Sequence, residues 1–182
     1  MTSDEALMLQ FQQGSGEAFT ELFRRYREPI YGFFRRRLQD PPRAEELAQE
    51  VFLAVLKSSQ RYEPRALFRT YLYGIAVKMV WAERRKSGRR SDISGSSRDG
   101  QDANEMPDPA TFADPDAGLV VRDAVERLDA QEREILLLRE YEQLSYEEIA
   151  AVMRVPVNTV RSRLFRARMA LRDVLLTPRP QA

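Results

Sequence analysis

LSYEEIAAVMRVPVNTVRSRLFRARMALR, residues Leu144–Arg172, is the stretch on which the reading of this chain turns. Ser145-Tyr146-Glu147-Glu148 has the form of a capping box: the serine accepts from the backbone three residues on, and the glutamate reaches back. It opens a short helix with Ile149, Ala150 and Met153 on its apolar side. Arg154-Val155-Pro156 reads as a turn, and a second helix begins beyond it. There Val160, Leu164, Ala167 and Leu171 recur at three- and four-residue steps and form an inward stripe. A capped short helix, a tight turn and an arginine-rich helix together predict a helix-turn-helix.

With that stripe inward, helix geometry presents Arg161, Ser162, Phe165 and Arg166 on the opposite face. Val157–Arg172 carries five arginines and no acid. Arginine offers a bidentate fork to guanine or phosphate, serine a small adaptable donor, and phenylalanine an apolar contact for a thymine methyl. Thr159 sits at the helix N-terminus, where the dipole favours phosphate. The plainer reading is a solvated arginine-rich surface, with Phe165 half-buried in the core.

Moving toward the N-terminus, Leu119–Leu128 reads as one helix. Asp129 then caps another, with Glu132 completing a second capping box and Ile135, Leu136 and Leu138 facing inward. Before these lies SGRRSDISGSSRDGQDANEMPDPATFADPDAG, Ser87–Gly118. It is rich in Ser, Gly, Asp and Pro, without apolar period, and reads as a flexible linker. From Ser91 to Gly118 it holds seven acids and one base. The expected organisation is therefore all-α: a four-helix domain over 1–88, an acidic linker over 89–118, and a helix-turn-helix domain over 119–182.

The N-terminal half supports four amphipathic helices. The first starts near Asp4, a candidate N-cap, and ends by Gly14. The second, about Glu17–Leu38, has Phe19, Leu22, Phe23, Tyr26, Ile30 and Phe33 as its stripe, with Pro29 inside it and Asp40-Pro41-Pro42 to stop it. The third buries Ala44, Leu47, Ala48, Val51, Phe52 and Val55. A loop at Ser58–Arg65 precedes the fourth, about Ala66–Lys86, with Phe68, Leu72, Ile75, Ala76 and Met79 inward.

Two surfaces of this half carry chemistry. In SSQRYEPRALFRTYLYGIAVKMVWAERRKSGRR, Ser58–Arg90, the aromatics Tyr62, Phe68, Tyr71, Tyr73 and Trp81 alternate with Arg61, Arg65, Arg69, Lys78, Arg84 and Arg85. Rings stack bases for about 1–3 kcal/mol each, and cations track phosphates, so the pattern suits a single strand. The competing reading places half of these aromatics, Phe68 first, in the core; Tyr73 and Trp81 are expected to be partly exposed. In AEELAQEVF, Ala44–Phe52, the third helix turns Glu45, Glu46, Gln49 and Glu50 outward. Carboxylates so spaced suit a metal pair, general acid–base chemistry, or an acidic surface.

Composition narrows the choice. The chain of 182 residues contains neither cysteine nor histidine, which removes disulfides, thiolate nucleophiles, the common zinc sites and a Ser-His-Asp triad. No signal peptide and no apolar run near the roughly 20 residues of a membrane span is visible, so a cytoplasmic protein without membrane insertion or cofactor is expected. The net charge is only +1, which disfavours a protein that coats nucleic acid unaided.

These motifs resemble a known family. SYEEIA and PVNTVRSRLFRAR are similar to the last conserved region of extracytoplasmic-function sigma factors of the sigma-70 superfamily, where it binds the −35 promoter element as duplex. The resemblance puts Arg161, Ser162, Phe165 and Arg166 on contacting positions. It departs at Arg154, where the family usually has Gly or Asp. Phe68, Tyr71, Leu72, Tyr73, Ile75 and Ala76 resemble the region that melts and captures the −10 strand, and Tyr62, Arg65, Tyr71, Lys78, Arg84 and Arg85 are the implied contacts. Here Tyr71, Lys78 and Ala82 replace the family's Trp, Asn and Asp. AEELAQEVF resembles the helix that docks on the polymerase clamp, with Glu46, Gln49 and Glu50 at contact positions. The resemblance implies a non-enzymatic initiation factor whose partners are core RNA polymerase, promoter DNA and an anti-sigma factor. The rival readings are a stand-alone helix-turn-helix regulator, a sigma mimic that only sequesters an anti-sigma protein, and an enzyme such as a nuclease.

Overall fold

The computed structural model describes residues 2–38, 40–94 and 115–176, with side chains described for all of these but 88–94, 115–120 and 175. Among the described residues the elements are helices: α1 Asp4–Gln12, α2 Gly16–Arg35, α3 Pro41–Ser58, a 3-10 turn Ser59–Arg61, α4 Phe68–Ser94, α5 Pro115–Glu126, α6 Ala130–Glu140, α7 Tyr146–Met153 and α8 Val157–Leu176. The chain divides into two compact units, Met1–Ala103 and Asn104–Ala182.

In the first unit α2 packs between α1 and α3, and α4 closes against all three. Met8, Leu22, Ile30, Phe33, Phe34, Phe68 and Leu72 are fully buried at the centre. All six residues expected on the inner face of α3 are buried. The prolines that stop α2 also start the next helix. Asp40 caps α3 by accepting from the Arg43 amide at 3.3 Å, and Pro41 and Pro42 fill the opening positions, where a missing N–H is no loss.

Three expectations for this unit need correction. Ser3, not Asp4, caps α1, accepting from the Ala6 amide at 3.2 Å. Asp4 is freed to pair with Arg25 at 2.6 Å and with the Tyr26 hydroxyl, tying α1 to α2. The inner face of α4 is rotated from the expected one: Tyr73, Val77 and Val80 are buried with Phe68, Leu72 and Ala76, while Ile75 and Met79 are only half-buried. FRTYLYGIAVKMVW is apolar almost all round, so its periodicity does not select a face. Finally, α4 continues to Ser94, beyond the expected linker start, because Arg84–Lys86 are good helix formers and one glycine does not stop them. Likewise α5 begins at Pro115, with proline at the first helical position. The middle of the expected linker, 95–114, lies outside the described residues.

In the second unit α8 is the hub on which α5, α6 and α7 all pack. Its Val160, Leu164 and Ala167 are at most 1% exposed, and Ile135, Leu138, Leu144 and Ile149 are buried in the same unit. Both bonds of the Ser145/Glu148 capping box form, at 3.2 and 2.8 Å. The Arg133 guanidinium donates to the carbonyls of Val125 and Glu126, satisfying the end of α5.

Arg154 ends α7 in the left-handed region, at φ 56° and ψ 47°, with its amide bonded to the Ala150 carbonyl. That backbone costs a residue with a Cβ about 1 kcal/mol that glycine avoids. The departure at Arg154 thus leaves the turn intact but strained. Arg154→Gly is expected to raise the stability of this unit by about 1 kcal/mol in urea unfolding followed by circular dichroism.

Candidate nucleic-acid interface

Burial of Val160, Leu164 and Ala167 fixes what α8 shows to solvent. Arg161, Ser162, Phe165 and Arg166 are all exposed, and Thr159 is half-buried at the helix start. Phe165 is 63% exposed, so it is not a core residue. Ser162 Oγ donates to the Thr159 carbonyl at 3.1 Å, which leaves its lone pairs outward. The Arg161 guanidinium has only a long bond, 3.4 Å, to Asn158 on its own helix. Arg166 is different: its Nε donates to Glu132 of α6 at 2.6 Å. Nearby, Arg168 donates to Glu140 at 2.7 Å.

Glu132 therefore does not complete the expected capping box. Asp129 caps α6 alone, accepting from the Gln131 amide at 2.9 Å, and the Glu132 carboxylate turns to Arg166 of α8 instead. A guanidinium N–H outcompetes a neutral backbone amide for a carboxylate, because the bond joins two charges.

The second surface lies on the first unit. Tyr71, half-buried, stands on the same face of α4 as exposed Lys78 and exposed Arg85, spaced by seven residues each. The row is about 21 Å long at the helical rise. It offers one ring face followed by two cations. Arg84 is half-buried beside it; Arg65, on the loop before α4, is well exposed and paired with Glu63. Tyr62 departs from its expected role. It is 6% exposed, its ring packs against Phe68 and Tyr71 at 6.2 and 5.3 Å, and its hydroxyl has no hydrogen-bond partner. Burial, with the negative Glu5 nearby, pushes that hydroxyl up to about 12. Tyr62 shapes the loop from within and offers no stacking face. Tyr73, expected at least partly outside, is also buried, its ring 5.6 Å from that of Phe33.

The loop is held by residues the motifs did not single out. Gln12 at the end of α1 donates to the carbonyls of Ser59 and Tyr62 at 2.6 and 2.8 Å. Glu5, at its start, accepts from the Phe68 amide at 2.7 Å and so caps α4. Tyr71 hydrogen-bonds Ser58 at the loop's other root. One short helix thus clamps both ends of the loop.

On α3, Glu45, Glu46, Gln49 and Glu50 are all exposed, as expected. Arg43, one turn earlier, reaches Glu46 at 2.8 Å, Glu50 at 3.3 Å and Glu83 of α4 at 2.9 Å. One guanidinium among three carboxylates leaves the surface net negative. Beside it a groove of about 370 Å³, lined by Phe23, Tyr31, Ala48, Gln49 and Phe52, runs between α2 and α3. No described helix is long and apolar enough to cross a membrane.

Residues 22–90 match the family model described as Sigma-70 region 2, and residues 119–171 that described as Sigma-70, region 4. The RNA polymerase sigma-H factor of Pseudomonas aeruginosa is 34% identical over 184 residues, covering 96% of this chain and 94% of that protein. The ECF RNA polymerase sigma-E factor of Haemophilus influenzae is 33% identical, covering 91% and 92%. Among solved structures, CnrH in complex with the cytosolic domain of CnrY superposes with a TM-score of 0.70 at 22% identity, covering 96% of this chain and 97% of that one. The sigma factor RpoE of Bartonella quintana, in complex with the anti-sigma factor NepR, gives 0.71 at 23%, covering 88% and 98%. These two likenesses speak to the fold.

Proposed function

From the premise that the chain belongs to the extracytoplasmic-function group of sigma-70 RNA polymerase sigma factors, we propose how its surfaces divide the work of promoter-specific initiation. The chain binds core RNA polymerase in the cytoplasm and directs it to promoters, and the polymerase supplies the chemistry. Arg161, Ser162, Phe165 and Arg166 read the −35 duplex, with Thr159 on the backbone. Tyr71, Lys78 and Arg85, with Arg65 and Arg84 flanking, take the melted −10 strand; Tyr62 supports their loop from inside. Glu46, Gln49 and Glu50 dock on the polymerase, and an anti-sigma factor is the expected regulator.

The observation that carries this reading is the two-sidedness of α8: an aliphatic stripe in the core and four outward side chains suited to a groove. The division also accounts for the near-neutral net charge, because tethering both units to one polymerase makes the second DNA contact effectively intramolecular. The alternative use of the α3 acids in catalysis is disfavoured by Arg43, which already engages Glu46 and Glu50.

Run-off transcription on genomic fragments with purified chain and core polymerase tests the proposal. Start sites sharing two spaced upstream elements are expected. Tight operator binding by the free chain, with no polymerase-dependent transcript, would favour a stand-alone regulator. The docking assignment has its own check. Glu46→Lys combined with Glu50→Lys is expected to weaken binding to core polymerase by about tenfold or more, chiefly through slower association. Competition against the unaltered chain for limiting polymerase reads this out; equal competition would remove α3 from the interface.

A further inference from the structure

Glu132 gives up a helix cap to bind Arg166, and the geometry of that pair has a use. It engages Nε, the inner nitrogen of the guanidinium, at 2.6 Å from one carboxylate oxygen. Among the described residues neither terminal nitrogen of Arg166 donates a hydrogen bond, so none of these residues occupies the outer fork. The Glu132 side chain is 16% exposed and that of Arg166 58%. The acid is thus a largely covered support, and the arginine it holds stands in solvent. By contrast Arg161, on the same face, has only its long bond to Asn158.

We infer that Glu132 is a specificity-determining positioning residue: it holds the Arg166 fork in one orientation for a base edge, while its negative charge discourages non-specific DNA. This deepens the −35 reading above and rests on it. A long cation on a mobile stem binds any phosphate within reach. An arginine fixed at Nε presents its two terminal nitrogens as a planar pair, the arrangement that a guanine edge matches bidentately. Fixing it beforehand removes rotamer entropy that would otherwise be lost on binding. The carboxylate also sits beside the DNA face. Across about 10 Å of water-like medium at low salt its repulsion of a phosphate changes affinity by up to about twofold, for right and wrong sequences alike.

The two effects separate by substitution. Glu132→Gln removes the charge and keeps an oxygen that accepts from Nε. Glu132→Ala removes both. Neither disturbs the cap of α6, which Asp129 supplies. The experiment measures holoenzyme binding to three duplexes: one carrying the −35 element defined by run-off transcription, one with a single base of that element changed opposite Arg166, and one scrambled. At low salt both variants are expected to bind the scrambled duplex up to about twofold more tightly than the parent. Glu132→Ala is expected to lose about fivefold or more of the discrimination against the changed base, within the range of one bidentate contact, and Glu132→Gln to keep most of it. Equal discrimination in the parent and in both variants would overturn the positioning role. Equal loss in both variants would overturn it too, since charge alone would then account for the effect. A parent that does not discriminate at that base would overturn the assignment of Arg166 as a base reader, and the inference with it.

Discussion

Leu164→Ala is expected to cut −35-dependent initiation by at least about tenfold although Leu164 lies buried inside its own unit. The side chain is 1% exposed on α8, and α5, α6 and α7 all pack against that helix. Truncating a buried leucine costs about 2–5 kcal/mol, from lost transfer free energy and from the cavity left behind. A helical unit of this size has a net stability of about 3–5 kcal/mol. The two quantities are comparable, so the substitution leaves the unit with little or no folded population. The first unit has buried residues of its own, Met8, Leu22, Phe33 and Leu72 among them, and is expected to keep its fold. The expected phenotype is therefore split. In run-off assays, transcription from promoters needing both elements falls by at least about tenfold. Binding to core polymerase survives, and circular dichroism on the full chain shows part of the helix signal lost at 37 °C. Wild-type transcription together with an unshifted thermal transition would show that α8 is not the hub of its unit.

The helix-turn-helix was legible because its signals are local. A capping box spans four residues, and both of its bonds form at Ser145 and Glu148. The stripe of α8 is separated mainly by polar residues, and its Val160, Leu164 and Ala167 are buried; in α3 the run VFLAVL is unbroken, and Leu53 and Leu56 stay exposed while the expected face is buried. Failures came where the deciding partner lies far along the chain. Glu132 had two suitors, a nearby amide and an arginine 34 residues away, and the sequence displays only the first. Glu5 and Gln12 hold a loop 47 to 63 residues distant, and nothing in DEALMLQFQ announces it. The aromatic-rich segment failed for a third reason. Tyr71 and Tyr73 have the same chemistry, and the rotation of α4 against Phe33 decides which of them is inside; Tyr62, on the loop before α4, is buried against Phe68 and Tyr71. The outward residues of α8 were legible as a face but not as individuals: Arg161 and Arg166 look alike in sequence and differ in their surroundings.

That difference sets the second large effect. Arg166→Ala is expected to weaken holoenzyme binding to the −35 duplex by about 1–3 kcal/mol, which is about 5- to 150-fold. Arg161→Ala should lose less. Removing Arg161 removes one cation from a free position. Removing Arg166 also leaves Glu132 without its partner, an unpaired carboxylate of low exposure on the side proposed to meet phosphates. Part of the Arg166→Ala loss is then the uncovered acid and not the missing contact. Adding Glu132→Ala to Arg166→Ala should recover that part, so the double variant binds better than Arg166→Ala alone. Such non-additivity is what a direct pair produces, whereas sites with no shared partner would add. Arg166→Lys should behave nearly as badly as Arg166→Ala, because an ammonium has neither an Nε to anchor nor a planar fork to present. Salt dependence separates the possible contacts. If Arg166 reads a base, its loss falls mainly on the correct sequence; if it only neutralises a phosphate, all sequences weaken alike and the slope of log affinity against log salt drops by about one. Strict additivity of Arg166→Ala and Glu132→Ala, with uniform weakening on every duplex, would reduce α8 to an electrostatic surface and leave −35 recognition to be found elsewhere on the second unit.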